Sequence, residues 1–269
     1  MFGKHADHLK TRGQTMRTSR TAFIRNTPAL ATAFFLLVAL GGGCNPQAPV
    51  AERVQPVRTI DQPYEYPLKP GDPEWKNLNG NIAMLSAVQI PGEILQVLST
   101  KALAKSVLEY PLFMDIWAYD EETGFKHLAA NFNGLRDLLA REDAGPALLE
   151  EYRAFDPAGF KPQLGSDGRG FHSFRLRYLE MIMGQPSILA QLSPEQRKLL
   201  VQTALAQAKI KANYPDIYGV ITPTNLIRRT LEIDFPEKFT APDGSRLATS
   251  SAQLLDLAKK LTSSTSTHN

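Results

Sequence analysis

The chain has 269 residues, of which 43% are hydrophobic and 21% charged, values typical of a globular protein and too apolar for a disordered one. The formal net charge is +3, but residues 1–43 hold six Lys or Arg and one Asp. If this segment is removed, 24 basic and 26 acidic residues remain, a net charge of about −2. Such a chain has no overall positive field, so we expect no nucleic-acid partner.

The N-terminal residues follow the order of an export signal. A basic stretch precedes the apolar run Ala29–Leu40, and three glycines then lead to Cys44. The apolar run is shorter than the roughly 20 residues that a membrane-spanning helix needs. We therefore predict that residues 1–43 are a signal peptide and that Cys44 becomes the first residue of the mature chain.

The small residues directly before Cys44 resemble the lipobox of bacterial lipoproteins, in which a diacylglyceryl group is attached to the Cys sulfur before the signal is cleaved. That family usually has Leu three positions before the Cys, where this chain has Gly41. The resemblance implies acyl chains, such as palmitate, on Cys44, and a chain anchored to an envelope membrane facing the periplasm or the cell exterior. The alternative is a plain secretory signal followed by an unrelated Cys. Lipidation is favoured because Cys44 is the chain's sole Cys and two or more acyl chains anchor a protein stably.

The composition changes after Cys44. Proline fixes φ and removes a backbone donor, so an interleaved run of prolines predicts an extended linker. We assign residues 44–84 to the lipidated Cys and this linker, and residues 262–269, rich in Ser and Thr, to a disordered tail. The prolines are Pro46, Pro49, Pro56, Pro63, Pro67, Pro70 and Pro73.

Helix signals dominate residues 85–261. A helix is predicted from Ser99 or Thr100 to just before Pro111, because the residue preceding proline avoids the α region. Ser193, Pro194 and Gln196 form a capping-box pattern, which predicts a helix over residues 194–212. Further helices are predicted at residues 112–119, 121–133, 134–143, 146–155, 171–183, 186–192, 224–233 and 251–261.

These elements predict an all-α fold, a single multi-helix domain with about eight to ten mostly short helices. A solenoid-like stack is one arrangement open to such a series. Strand signals are few: the turn at 242–244 favours at most a minor hairpin, and the run 82–90 fits either a helix or a strand.

Two stretches, Glu109–Ile116 and Asn131–Gly145, resemble a helical domain met in uncharacterised exported bacterial proteins. The resemblance covers about residues 88–233. Its motifs consist of core-like residues, so it implies a helical fold and export but no activity.

One group of residues could carry chemistry. Asp115, Asp120 and Glu121 precede or begin the helix that holds His127, and acids with a histidine can bind a metal or exchange protons. The competing interpretation is structural, because acids near a helix N-terminus are favoured by the helix dipole. His127 and His172 stand in no zinc-binding spacing. We favour the structural interpretation and predict no metal, cofactor or catalytic residue.

Anion sites are a further possibility. Gly165–Gly170 is a glycine-rich segment ahead of a helix, but it matches no phosphate-binding fingerprint, and we predict a loop there. The pairs Arg175–Arg177 and Arg228–Arg229 could grip phosphate or carboxylate groups, although charged outer helix faces explain them as well. No Gly-x-Ser-x-Gly motif is present for a serine hydrolase.

Two functions remain open. The first is a non-catalytic lipoprotein that binds an unknown protein or envelope partner, or serves as a structural element there. The second is an envelope hydrolase or metal-binding protein with its site around Asp115 and His127. We favour the first because the signal, the linker and the helical domain fit it and no catalytic motif is evident.

Overall fold

The computed structural model describes residues 59–160, 165–219 and 223–263, all of which belong to one structural unit. The described residues form an all-α fold with about twelve helices, nine of them with seven or more residues, and essentially no strands. The predicted fold class is therefore confirmed. The predicted signal 1–43, Cys44, the first part of the predicted linker and the end of the tail lie outside the described residues.

The α-helices follow one another closely along the chain. They are α1 (Gly80–Ala87), α2 (Gly92–Leu95), α3 (Thr100–Leu108), α4 (Glu121–Asn131), α5 (Asn133–Ala140), α6 (Ala144–Ala154), α7 (Gly165–Met183), α8 (Pro186–Leu189), α9 (Pro194–Lys211), α10 (Pro215–Tyr218), α11 (Thr224–Asp234) and α12 (Ser251–Ser263). Short 3-10 helices span Pro73–Asn77, Phe113–Ala118 and Pro236–Lys238. None of the helices described is long and apolar enough to cross a membrane.

The predicted capping box is present. Gln196 N donates to Ser193 Oγ at 3.2 Å, and Ser193 N donates to Gln196 Oε1 at 2.9 Å, the reciprocal pair of a capping box at the start of α9. Ser99 Oγ accepts from the backbone of α3 in the same way. These caps satisfy backbone donors that have no partner within the helix, which is why both helices begin where the sequence predicts.

The segment before α1 packs onto the domain. Ile60 forms an isolated parallel bridge with Leu98, and Tyr66 is buried with its hydroxyl donating to Ser106 O at 2.9 Å. Tyr64 lies against the Tyr66 ring, with centroids 5.1 Å apart. The described part of the segment assigned to the linker thus contributes two aromatic side chains to the packing.

Gly165–Gly170, predicted to be a loop, forms the first turns of α7, and that prediction is wrong. Later turns of the same helix bury Leu176, Leu179 and Ile182 at helical spacing. Each glycine destabilises a helix by about 1 kcal/mol relative to alanine. This cost is too small to end a helix whose later turns are already fixed by tertiary packing. Arg169, which lies within this glycine-rich segment, pairs with Asp216 at 3.7 Å.

Helix α6 lies at the centre of the packing and contacts α3, α5, α7, α8 and α9. Helices α11 and α12 pack on α9 and on each other. The turn at 242–244 closes a minimal hairpin, with a bridge between Thr240 and Arg246 and with Gly244 at φ +80°, a left-handed conformation that glycine adopts without strain. This matches the minor hairpin expected from the sequence.

The start of α4 approaches the 3-10 helix Phe113–Ala118 closely. A Cβ atom at Gly124 would overlap the carbonyl oxygen of Ile116. Glycine at this position therefore lets the two elements pack together and buries Phe113, Ile116 and Phe125.

Candidate functional site

The predicted acidic residues at the start of α4 have structural partners. Asp120 is the N-cap, with Oδ1 accepting from Thr123 N at 3.0 Å, and hydrogen bonding from Thr123 lowers the pKa of Asp120. Glu121 forms an ion pair with Arg177 of α7 at 2.5 Å, and Asn225 of α11 donates to its carboxylate at 3.3 Å. These contacts fit the structural interpretation of both acids.

Asp115 and His127 lie close enough to interact. Partial desolvation raises the pKa of the Asp115 carboxyl group, and the electrostatic interaction with His127 opposes this shift. The His127 ring lies 5.0 Å from the Tyr119 ring between centroids. Across residues 59–160, 165–219 and 223–263, no three Asp, Glu, His or Cys side chains are grouped as metal ligands.

The arginines of α7 also bridge helices. Arg175 pairs with Glu109 at 3.1 Å, and Arg177 pairs with Glu121. His172 lies beside Phe155, and its Nε2 is 2.8 Å from Asp156 O. Burial lowers the pKa of His172, so the imidazole is held toward its neutral form. Of the predicted alternative site, Asp115 and His127 lie near each other, whereas Asp120 caps a helix and Glu121 pairs with an arginine.

A different pair of residues has the character of a functional site. Glu180 of α7 and Lys211, the last residue of α9, form an ion pair with 2.9 Å between Oε1 and Nζ. Their side chains are 5% and 6% exposed, respectively. Removing two charges from water costs several kcal/mol per ion unless their interactions compensate. This makes the pair unusual among the ion pairs of the described residues.

Neighbouring helices hold the pair in place. Tyr152 of α6 donates its hydroxyl to Glu180 Oε1 at 3.1 Å, and burial together with the Glu180 charge raises the pKa of Tyr152 well above its ordinary value. Gln207 Nε2 donates to Tyr152 O at 2.5 Å. The ring of Tyr218 lies 5.9 Å below Lys211 Nζ, in the geometry of a cation–π contact. The carboxylate and the ammonium are therefore fixed by groups from four helices.

The ion pair forms part of the wall of a cavity of about 260 Å³, named here the ion-pair cavity. Aromatic and apolar side chains provide most of the wall, and a few residues add polar or charged groups. The lining residues are Trp117, Ser173, Phe174, Leu176, Arg177, Glu180, Lys211, Ile217, Tyr218 and Gly219. A concave apolar pocket with a few converging polar groups is the usual form of a small-molecule site.

Larger cavities among the described residues lack this combination. A cleft of about 480 Å³ beside α4 and α11 contains Glu121, Glu122 and Glu232, each already paired with a cation. A groove of about 650 Å³ along α9 has mainly apolar walls, and its charges include the pair formed by Arg197 and Asp234, whose side chains are 12% and 20% exposed. Neither places a buried charge against an apolar wall.

The motifs recognised in the sequence do not include this site. Glu180 stands within a stretch in which Tyr178, Leu179 and Ile182 are all fully buried, so that section of α7 has no solvent face to explain a carboxylate. An acidic residue amid such a stretch is the signal that could have found it. Its partner Lys211 lies 31 residues away on another helix, and no local pattern links the two.

Comparisons with known proteins give no relatives for this chain. No family model matches it, and neither the curated proteins nor the solved structures yield a match. The function must therefore be argued from the residues themselves.

Proposed function

We propose that this chain is a lipid-anchored, non-catalytic binding protein of the bacterial cell envelope, and that its helical domain receives a small organic molecule in the ion-pair cavity. The observation that carries the proposal is the buried pair of Glu180 and Lys211 in the wall of an aromatic cavity.

The anchor rests on the sequence. A basic segment, the apolar run Ala29–Leu40 and three glycines lead directly to the chain's sole Cys. Acylation of Cys44 would hold the domain at a membrane surface through the chain that follows. In this arrangement the domain samples solutes next to the membrane.

The ion pair supports a binding role because stability alone does not account for it. A buried pair is often no more stabilising than apolar residues of similar volume. Glu180 Oε2 accepts no hydrogen bond from the described residues, and Lys211 Nζ, which has three donor hydrogens, donates to Glu180 alone among them. Both charged groups therefore have hydrogen-bonding capacity left for a ligand.

The walls define the class of ligand. Trp117, Phe174 and Tyr218 line the cavity with aromatic surface suited to an apolar body, while Glu180 and Lys211 offer an acceptor and a donor to a polar end. A volume of about 260 Å³ is small beside the pockets that hold drug-sized molecules, which are about 300–1,000 Å³. The expected ligand is a metabolite-sized molecule with an aromatic or other apolar body and a charged end.

Calorimetry on the full chain, purified from membranes in detergent, tests this. Three probes share one ring and differ in the charged end: L-phenylalanine carries both charges, 2-phenylethylamine the ammonium, and 3-phenylpropionate the carboxylate. We expect saturable binding of at least one probe, and loss of that binding in Ser173→Phe, which fills the cavity.

The matched control is Ser187→Phe, the same change at an exposed helical position outside the cavity lining. It should bind as the unmodified chain does. The proposed ligand site is rejected if none of the three probes binds saturably, or if Ser173→Phe binds as tightly as Ser187→Phe.

A further inference from the structure

We infer that a second cavity, lined by Arg228, Arg229 and Arg246, binds a phosphate group. These three residues are named the arginine cluster. The inference goes beyond the proposed function and does not depend on it, because the arginine cluster and the ion-pair cavity share no lining residue.

The three arginines line one cavity although they come from two elements. Arg228 and Arg229 lie on α11, and Arg246 lies on the hairpin that follows it. Together with Asn225, Leu247 and Ala248 they line a cavity of about 390 Å³. The hairpin is held against α11 because Arg228 Nη2 donates to Leu247 O at 2.9 Å.

One carboxylate serves two of the arginines. Glu232 Oε1 lies 2.7 Å from Arg228 Nε and 2.7 Å from Arg246 Nη2. Arg246 Nη2 also donates to Glu232 Oε2 at 2.7 Å. Both arginines lower the pKa of Glu232 against the opposing effect of burial, so this carboxyl group stays ionised. A single negative charge therefore faces two positive ones.

Arg229 adds a third positive charge. Its Nη1 donates to Gly184 O at 3.1 Å, and it forms no ion pair with any residue in the described ranges. Glu121 and Glu122 lie in the adjoining cleft, where Glu121 pairs with Arg177; Glu122 pairs with Lys126 and interacts more weakly with Arg229. The arginine cluster thus keeps a surplus of two positive charges, on a mature chain whose predicted net charge is about −2.

A phosphate group matches this surplus and geometry. The planar guanidinium fork presents paired N–H donors that fit phosphate oxygens, and such charge-assisted bonds are stronger than neutral ones. A phosphomonoester carries a charge of about −1.5 to −2 at neutral pH. The phosphate could belong to a soluble ester, to inorganic phosphate or to a lipid headgroup, since all three present the same oxygens.

Calorimetry on the full chain in detergent distinguishes these sources. The probes are inorganic phosphate, glycerol 3-phosphate and dihexanoyl phosphatidic acid, with dihexanoyl phosphatidylcholine as the control for partitioning into micelles. We expect saturable binding of at least one phosphomonoester or of inorganic phosphate. Binding of phosphatidic acid at least about tenfold tighter than that of the soluble probes identifies a lipid headgroup site. Comparable affinities identify a soluble phosphate site.

Variants link the binding to the arginine cluster. Arg229→Gln should lower the affinity for the tightest-binding probe at least about tenfold, since a charge-assisted hydrogen bond is lost. Arg136→Gln is the matched control, because Arg136 also donates one bond to a backbone carbonyl, Ala130 O at 2.8 Å, and forms no ion pair among the described residues. Arg246→Gln, at a largely exposed side chain, provides a second test should Arg229→Gln unfold the chain, which circular dichroism would reveal.

The inference is overturned if none of the phosphate probes binds saturably. It is also overturned if Arg136→Gln weakens binding as much as Arg229→Gln, or if Arg229→Gln and Arg246→Gln both fold and bind unchanged.

Discussion

Lys211 Nζ lies 2.9 Å from Glu180 Oε1, and Tyr152 donates its hydroxyl to the same carboxylate oxygen. The two charged residues are 31 positions apart in the chain and come from different helices. Their contact joins α7 and α9 beside the central helix α6. The free energies of unfolding of variants at this contact distinguish a pair retained for stability from a pair retained for ligand binding.

Removing one charge of the pair should be costly. In Lys211→Met the Glu180 carboxylate stays buried without its partner, and we expect a loss of about 3–5 kcal/mol in the free energy of unfolding. The double variant Lys211→Met with Glu180→Leu should recover most of that loss, because apolar residues replace both charges. Chemical denaturation of the full chain in detergent measures both values.

The control for this cycle is Lys126→Met, which breaks an exposed pair with Glu122 and should leave the unfolding midpoint unchanged. If the double variant is as unstable as Lys211→Met alone, the pair contributes net stability and its retention needs no ligand.

Gly124→Ala should destabilise the chain. Its added Cβ overlaps the carbonyl oxygen of Ile116, so α4 must move away from the 3-10 helix and open the packing there. Overpacking of this kind costs about 1–3 kcal/mol. Gly92→Ala, where nothing lies within 4 Å of the added atom, is the comparison and should have no destabilising effect. Equal melting temperatures for the two variants would show that the packing of α4 on the 3-10 helix does not require glycine at position 124.

The pH dependence of stability should carry a contribution from His172. Burial lowers the pKa of His172 below the ordinary value of 6.5. Between the folded pKa and about pH 6.5, the unfolded chain therefore binds more protons than the folded chain. Stability from this residue is therefore complete above about pH 6.5 and is lost as the pH falls through the folded pKa. Melting temperatures between about pH 5 and 7.5 should show a smaller slope for His172→Gln than for the unmodified chain.

We predict that chelation of metals leaves the melting temperature unchanged. Asp120 and Glu121 are engaged as a helix cap and as an ion-pair partner, and Asp115 and His127 alone are too few for a tight site. The measurement is a thermal melt of the full chain with and without EDTA, with elemental analysis beside it. If EDTA lowers the melting temperature by several degrees, and this effect disappears in His127→Ala, the prediction is wrong and the metal-binding alternative is favoured.

The sequence predicts the helices that carry their own boundary signals. Ser193, Pro194 and Gln196 form a local pattern whose geometry is set within one turn, and α9 begins there as predicted. Ser250 and Gln253 cap α12 by the same exchange of hydrogen bonds, and this second pattern was missed, although α12 itself was predicted. Local chemistry of this kind can be read from the sequence without knowing the fold.

Features that depend on distant residues could not be predicted in this way. Tyr66 lies in the proline-rich segment that we assigned to the linker. It is nevertheless buried against α3, where its hydroxyl donates to the backbone oxygen of Ser106. Gly165–Gly170 reads as a loop, but the buried turns after it extend the helix back through the glycines. The partnership of Glu180 and Lys211 likewise arises from the packing of α7 on its neighbours.

Native mass spectrometry of the full chain, extracted gently from the membrane fraction of the cells that produce it, tests both the proposed anchor and the proposed ligand. We expect a chain that begins at an acylated Cys44 and carries a bound small molecule, with that molecule absent from Ser173→Phe and retained in Ser187→Phe. A mature chain without acyl groups would contradict the anchor. Identical spectra for Ser173→Phe and Ser187→Phe would contradict the ion-pair cavity as the ligand site.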